Sequence, residues 1–189
     1  MPCFNLRLPL RPLAMAAAAT LACVPFIASA AQPEKAATMP YYAHATTYHY
    51  ATIEGRKVFY REAGDPAAPA IILLHGFPSS SHMYRDLIPA LADRFHVIAP
   101  DYVGFGQSDA PSHAEFSYTF DNLAAHVAGL IDQLGLNSYL LYMQDYGGPI
   151  GLRIFSQRPA QVKGLIIQNA NAYLEGVGDM PKQVFLPLW

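Results

Sequence analysis

Cysteine is nearly missing from this chain, which has two, Cys3 and Cys23, in 189 residues. Both fall near the N-terminus, so the rest of the sequence has no disulfide or thiol chemistry. Charge is also scarce, at 14% of residues, with 12 Lys and Arg against 14 Asp and Glu. That balance leaves no electrostatic footprint for nucleic acid. With 52% hydrophobic residues, general disorder is excluded. Gly and Pro are scattered, there is no internal repeat, and no GxxxxGK phosphate loop occurs. Gly104-Phe105-Gly106 begins like a dinucleotide fingerprint, but Asp109 stands where its third Gly belongs. The length fits one domain, or one and a fraction.

The N-terminus has the layout of an export signal. Arg7 and Arg11 precede an uncharged apolar run from Leu13 to Ser29, and Ala28-Ser29-Ala30 supplies the small residues of a cleavage site. The run is shorter than the ~20 residues a membrane span needs. Residues 1–30 are therefore expected to be a cleaved signal, with export to the periplasm or beyond and no stable membrane insertion afterwards. Leu21 lies one position too close to Cys23 for a lipoprotein signal, and the two arginines are not adjacent as a twin-arginine signal requires. Cleavage removes both cysteines and two Arg, which leaves 159 residues with ten basic and fourteen acidic groups. Residues 31–45, rich in Ala, Pro and polar residues, are expected to be a linker.

Strand and helix signals then alternate. Thr46 to Ile53 and Lys57 to Ala63 alternate like half-buried strands, joined by a turn at Glu54-Gly55-Arg56. Ala70 to Leu74, His96 to Ala99, Tyr139 to Met143 and Val162 to Ile167 are short apolar runs of the kind buried on both faces. Between them, apolar residues at helical spacing predict helices over Ser81 to Ala92, Asp121 to Leu134 and Pro149 to Arg158. Such alternation gives a mostly parallel α/β sheet with an antiparallel N-terminal hairpin. Ligands bind such sheets at the carboxyl ends of the strands.

Three strand-end turns carry the chemistry. They are His75-Gly76-Phe77-Pro78-Ser79-Ser80, the stretch from Asp101 to Pro111 that contains Gly104-Phe105-Gly106-Gln107-Ser108-Asp109, and Gln144-Asp145-Tyr146-Gly147-Gly148. The last has the layout of a nucleophile elbow, a sharp strand-to-helix turn with the reactive residue at its apex. That residue is Asp145. The other reading is a buried structural Asp, which is costly unless paired.

These turns, in this order and spacing, resemble the α/β-hydrolase superfamily, and within it the aspartate-nucleophile branch of haloalkane dehalogenases and epoxide hydrolases. The similarity runs from about Thr46 to Trp189. It implies that Asp145 attacks a saturated carbon bearing a halide or an epoxide oxygen in a small hydrophobic substrate. A His-activated water then hydrolyses the resulting ester. The backbone N–H groups of Phe77 and Tyr146 are expected to form the oxyanion hole. His75 precedes the nucleophile, against the fold's order of nucleophile, acid and His, and resembles a structural His of the HG turn. His44 and His49 lie near the first strand with no Cys or carboxylate cluster; no metal site and no cofactor are expected. His82, His96, His113 and His126 show no clear partners.

The sequence also departs from the pattern. Haloalkane dehalogenases place Asn after the HG turn and Trp after the nucleophile to hold the leaving halide, where this chain has Phe77 and Tyr146. HGFP is closer to epoxide hydrolases, whereas Gln144 and Asn169 are closer to some haloalkane dehalogenases. Met143 is bulky for its place before the elbow. The last histidine is His126, and the acids after the elbow are Glu175 and Asp179. The triad His, and with it the acid, is not found after Asp145. Residues 46–171 thus read as the N-terminal part of the core and 172–189 as the start of a cap, with the fold truncated before the last strands. The expected alternative to an active hydrolase is a catalytically incomplete fragment. Val162 to Ile167 would then be an exposed apolar edge, open to self-association.

Overall fold

The computed structural model describes residues 45–173 together with 176, 178, 179 and 183. The chain divides into two units, Met1–Met39 and Pro40–Trp189, and the described residues all lie in the second. The expected signal at 1–30 and nearly all of the expected linker lie outside them, as does most of 172–189.

Strands β1 (Thr47–Ile53) and β2 (Arg56–Ala63) form an antiparallel hairpin. The turn is shorter than expected: Arg56 pairs with Ile53, so Glu54 and Gly55 make it alone. Both have positive φ, 48° and 78°, the geometry that matches the twist of the flanking strands. The apolar runs then become β3 (Ala70–Leu74), β4 (His96–Pro100), β5 (Tyr139–Gln144) and β6 (Val162–Gln168). The sheet order is β1-β2-β4-β3-β5-β6. β2 pairs antiparallel with β4, and β4, β3, β5 and β6 are parallel to one another.

The helix expected over Ser81 to Ala92 is broken into a 3-10 turn, Ser81–Tyr84, and a short helix α1, Leu87–Leu91. Pro89 gives the reason. It has no N–H to donate back to Arg85 and its ring clashes with that carbonyl, so a helix can hold it only in its first turn. α2 (Phe120–Gln133) starts where the Thr119 side chain accepts the Asn122 N–H, and Gly135, at φ 69°, ends it. α3 (Gly147–Gln157) follows β5.

Alternate residues of β3 enter two cores, one on each side of the sheet. Ile71 and Leu73 pack with Tyr84 and Ile88 on the α1 side. Ile72 and Leu74 pack with Leu123, Val127, Ile150 and Ile154 under α2 and α3. Each fully buried aliphatic side chain contributes about 1.5–3 kcal/mol. These cores hold the ends of β3 and β5 side by side, which is where the expected site falls. β6 lies at one end of the sheet order, with Ile166 and Ile167 exposed.

Candidate active site

Between the end of β5 at Gln144 and the start of α3 at Gly147 the chain turns in two residues. Asp145 sits at the apex with φ 49°, a left-handed conformation that costs a residue with a Cβ about 1–2 kcal/mol. Close approach of α3 to the sheet holds it there. A Cβ added at Gly147 would lie 2.3 Å from the Leu74 carbonyl oxygen, and one at Gly148 would lie 2.7 Å from Ala170 Cβ. The helix therefore begins two residues earlier than expected, and Pro149 occupies its first turn, where a missing N–H costs nothing. Met143 fits because Gly151 faces it, where a Cβ would stand 2.4 Å from the Met143 sulfur.

Phe77 N–H donates to Asp145 Oδ1 at 2.8 Å. Gly76 makes that approach possible, since a Cβ there would lie 2.6 Å from Asp145 Cβ and would also strike the Gln144 amide oxygen. Tyr146 is the N-cap of α3, so its N–H lies at the head of that helix. The positive end of the helix dipole favours a carboxylate at this point. Asp145 is half-buried, with one oxygen fixed by a backbone donor. The three expected site residues are thus brought together, with a backbone hydrogen bond from Phe77 and a helix-end position for Tyr146.

His75 is fully buried. Its ring stacks on Tyr102 at 4.0 Å, Nδ1 lies 3.0 Å from the Gly76 carbonyl, and Nε2 lies 3.4 Å from the Tyr102 N–H. Tyr102 Oη donates to the His75 carbonyl at 2.8 Å. A neutral ring protonated on Nδ1 satisfies both contacts, and the ring braces the turn that carries Phe77. Burial pulls the His75 pKa below its ordinary value, against the raising effects of the Gly76 carbonyl and then Asp101 and Asp145. The unfolded chain therefore binds this proton more readily. Stability from neutral His75 is complete above the unfolded imidazole pKa of about 6.5, and is lost below it by up to about 1.4 kcal/mol per pH unit. Urea midpoints measured from pH 8 to 5 should fall in the native protein and fall less steeply in His75→Gln. Parallel slopes would contradict this role.

Asp101 organises the second turn in a way its spacing did not reveal. Its buried carboxylate accepts from Ser81 N–H at 2.7 Å and Gln107 N–H at 2.8 Å. Ser108 Oγ donates to the Asp101 carbonyl at 2.7 Å and accepts the Phe59 N–H at 2.9 Å. Asp109 accepts the Lys57 N–H at 2.7 Å. The stretch is a clamp that fastens its loop to β2, and these carboxylates are structural.

The remaining histidines have partners that the sequence did not show. His96 Nε2 lies 2.6 Å from Glu62 Oε1, and His49 Nε2 lies 3.4 Å from Glu62 Oε2. His49 thus has a single carboxylate neighbour, which the sequence did not show. The cause is strand pairing: Thr47 opposes Glu62, which sets His49 diagonally across from it. His82 lies beside Arg61, His113 stacks edge-on to Tyr118, and His126 bonds the Asn122 carbonyl. His44 lies outside the described residues. Among the described residues no group of His, Cys, Asp and Glu could hold a metal ion, and no helix is long and apolar enough to cross a membrane.

A cavity of about 670 Å³ opens beside the elbow. Phe77 and Tyr146, the neighbours of Asp145, line it together with Phe105, Phe120 and Arg153. Burial, and next the Asp145 carboxylate, push the Tyr146 pKa above its ordinary value, which keeps its hydroxyl protonated.

A parallel sheet with an antiparallel hairpin, carrying a carboxylate at a strand-to-helix elbow beside an HG turn, defines an α/β-hydrolase core. The family model for the alpha/beta hydrolase fold matches residues 69–186, and the chain belongs to that family. An uncharacterized hydrolase of Saccharomyces cerevisiae is 48% identical over 126 residues, 67% of this chain and 43% of the yeast protein. Haloalkane dehalogenase 2 of Mycobacterium tuberculosis is 42% identical over 113 residues, 60% of this chain and 38% of the dehalogenase. Among solved structures, haloalkane dehalogenase DbeA from Bradyrhizobium elkanii superposes with a TM-score of 0.63 at 36% identity, covering 67% of this chain and 42% of DbeA. Epoxide hydrolase CorEH gives 0.64 at 32% identity, covering 69% and 44%. The chain spans about two fifths of the length of the curated relatives it matches.

Proposed function

We propose that this chain is a hydrolase that uses Asp145 to displace a halide or open an epoxide on a small hydrophobic substrate. The observation that carries the reading is Asp145 at the elbow apex with its Oδ1 held 2.8 Å from the Phe77 N–H. Fixing one oxygen leaves Oδ2 as the attacking atom, and attack gives an alkyl ester. When water attacks that ester at its carboxyl carbon, negative charge gathers on the carbonyl oxygen. The Phe77 N–H, with the Tyr146 N–H at the head of α3, would then stabilise that oxyanion. Activating the water calls for a base. His75 has both ring nitrogens engaged and does not serve. The similarity to haloalkane dehalogenases and an epoxide hydrolase supports this choice of reaction. Rapid quenching after mixing with a panel of epoxides and alkyl halides should trap protein heavier by the whole epoxide, or by the alkyl halide less its hydrogen halide. A panel in which no compound adds to the protein rejects the reading.

We also propose that residues 1–30 direct export and are cleaved after Ala30, on the strength of the basic, apolar and Ala-Ser-Ala segments in order. N-terminal sequencing of the exported protein should begin at Ala31. Recovery of the intact Met1 terminus outside the cytoplasm contradicts the cleavage.

A further inference from the structure

The carbonyl that ends β3 and the one after it are each held by a tyrosine hydroxyl. Tyr84 Oη donates to the Leu74 carbonyl at 2.8 Å, and Tyr102 Oη donates to the His75 carbonyl at 2.8 Å. The two rings come from opposite sides of the sheet. Tyr84 packs in the core with Ile71 and Leu73, and Tyr102 in the core with Ile72 and Leu74. They are 3% and 1% exposed. A hydroxyl buried that deeply needs a partner, and toward a carbonyl it can only donate. Burial pushes both hydroxyls well above the ordinary tyrosine range, with Tyr142 adding to it for Tyr84 and Tyr84 for Tyr102, so both keep their protons. The rings themselves are fixed. Tyr102 stacks on His75 at 4.0 Å and meets Phe105 edge-on at 5.8 Å, and Tyr84 meets Tyr142 edge-on at 5.7 Å.

What these bonds fix lies just beyond them in the chain. Phe77 is 46% exposed, so its side chain is a poor anchor for its own backbone. The place of its N–H is set by the residues around it. The two hydroxyls hold Leu74 and His75, and the Ser79 N–H closes the turn on the Gly76 carbonyl at 3.0 Å. From there the Phe77 N–H reaches Asp145 Oδ1 at 2.8 Å. The Leu74 carbonyl is also the atom against which α3 rests, since a Cβ at Gly147 would lie 2.3 Å from its oxygen. Neither tyrosine lines the cavity beside the elbow. We propose that Tyr84 and Tyr102 are positioning residues whose hydroxyls set the place of the Phe77 N–H and, through it, the aim of Asp145 Oδ2, an inference that rests on Asp145 being the nucleophile. Phenylalanine at either position keeps the ring and deprives a buried carbonyl of its donor. The turn then shifts to satisfy that carbonyl. A reacting group misplaced by about 1 Å loses about 10²-fold in rate, so a shift of about half that loses about tenfold.

The test uses the 189-residue chain and its Tyr102→Phe, Tyr84→Phe and Tyr139→Phe variants. Each is incubated with benzyloxirane over a series of concentrations, and the adduct on the Asp145 peptide is followed by mass spectrometry. This gives a maximal rate and a half-saturating concentration, while NMR follows the Phe77 amide proton. The maximal rate should fall about tenfold in Tyr102→Phe, and about threefold in Tyr84→Phe, whose carbonyl is one residue further from Phe77. The half-saturating concentration should not change, because neither ring touches the cavity. The Phe77 amide proton should move upfield in both as its bond to Asp145 lengthens. Tyr139, also 1% exposed, bonds the Gln161 side chain at the other end of β5, and Tyr139→Phe should leave rate and amide signal as they are. A merely structural role would lower the urea midpoint and leave the maximal rate and the Phe77 signal of the folded chain at their native values. That result in Tyr84→Phe and Tyr102→Phe overturns the proposal, and if one of them does not fold the other decides it. If the native chain gives no adduct on Asp145, the nucleophile itself is rejected and the effect on rate falls with it, whereas an amide signal unmoved in the variants rejects the positioning role alone.

Discussion

Asp145→Asn should slow covalent capture of an epoxide or alkyl halide by at least about 10³-fold, down to the background of the other carboxylates. The carboxylate is charged and carries the attacking electron pair, whereas the amide is neutral and a poor nucleophile. The fold should be undisturbed, because Asn is among the residues that best tolerate a left-handed backbone, and φ here is 49°. An Asn carbonyl oxygen can still accept the Phe77 N–H that now bonds Oδ1 at 2.8 Å. Unfolding free energy should therefore change by less than about 1 kcal/mol. This pairing of lost chemistry with kept stability separates a nucleophile from a structural carboxylate. A variant that still accumulates adduct at the native rate contradicts the assignment, as does one that loses capture by unfolding.

The largest stability effect should come from Gly147→Val. The first atom of the new side chain would lie 2.3 Å from the Leu74 carbonyl oxygen, which is backbone in the middle of the sheet and has no rotamer to relieve the clash. β3 and α3 must separate, and Leu74, Ile150 and Ile154 lose their packing together. A cost of about 3–5 kcal/mol is expected, a large part of the 5–15 kcal/mol that holds a domain folded. Gly151→Ala is the contrasting case. Its obstacle is the Met143 sulfur, the end of a flexible side chain, so about 1–2 kcal/mol is expected. Urea unfolding of the two variants should rank them in that order. A stable Gly147→Val would mean that α3 does not press on the sheet, and would remove the physical basis of the elbow.

The elbow was legible in the sequence because its determinants are local. β3, β4, β5 and β6 lie within one residue of the runs AIILL, HVIA, YLLYM and VKGLII. The sequence points to Asp145, Phe77 and Tyr146 as candidates through turns of six residues or fewer, each tied to the end of a strand. Features set by distant partners were not legible. The start of α3 was misplaced because Gly147 and Gly148 are poor helix formers, and only contact with Leu74 and Ala170 explains why they are there. The split of 81–92 was available from Pro89, which periodicity alone passes over. Asp101 gave no sign of its role because its donors, Ser81 and Gln107, come from two other positions in the chain. The His49–Glu62–His96 cluster needed the register of three strands. A two-residue turn at Glu54-Gly55 already sets His49 diagonal to Glu62, and that signal was open to reading.

The most direct test of the account is the location of the covalent adduct. The native chain is incubated with benzyloxirane, quenched, digested and mapped by tandem mass spectrometry. The account predicts one adduct per chain, on the peptide spanning Gln144-Asp145-Tyr146, as an ester that alkaline hydroxylamine releases. An adduct on Asp101, Glu62 or a histidine, with Asp145 unmodified, would contradict it.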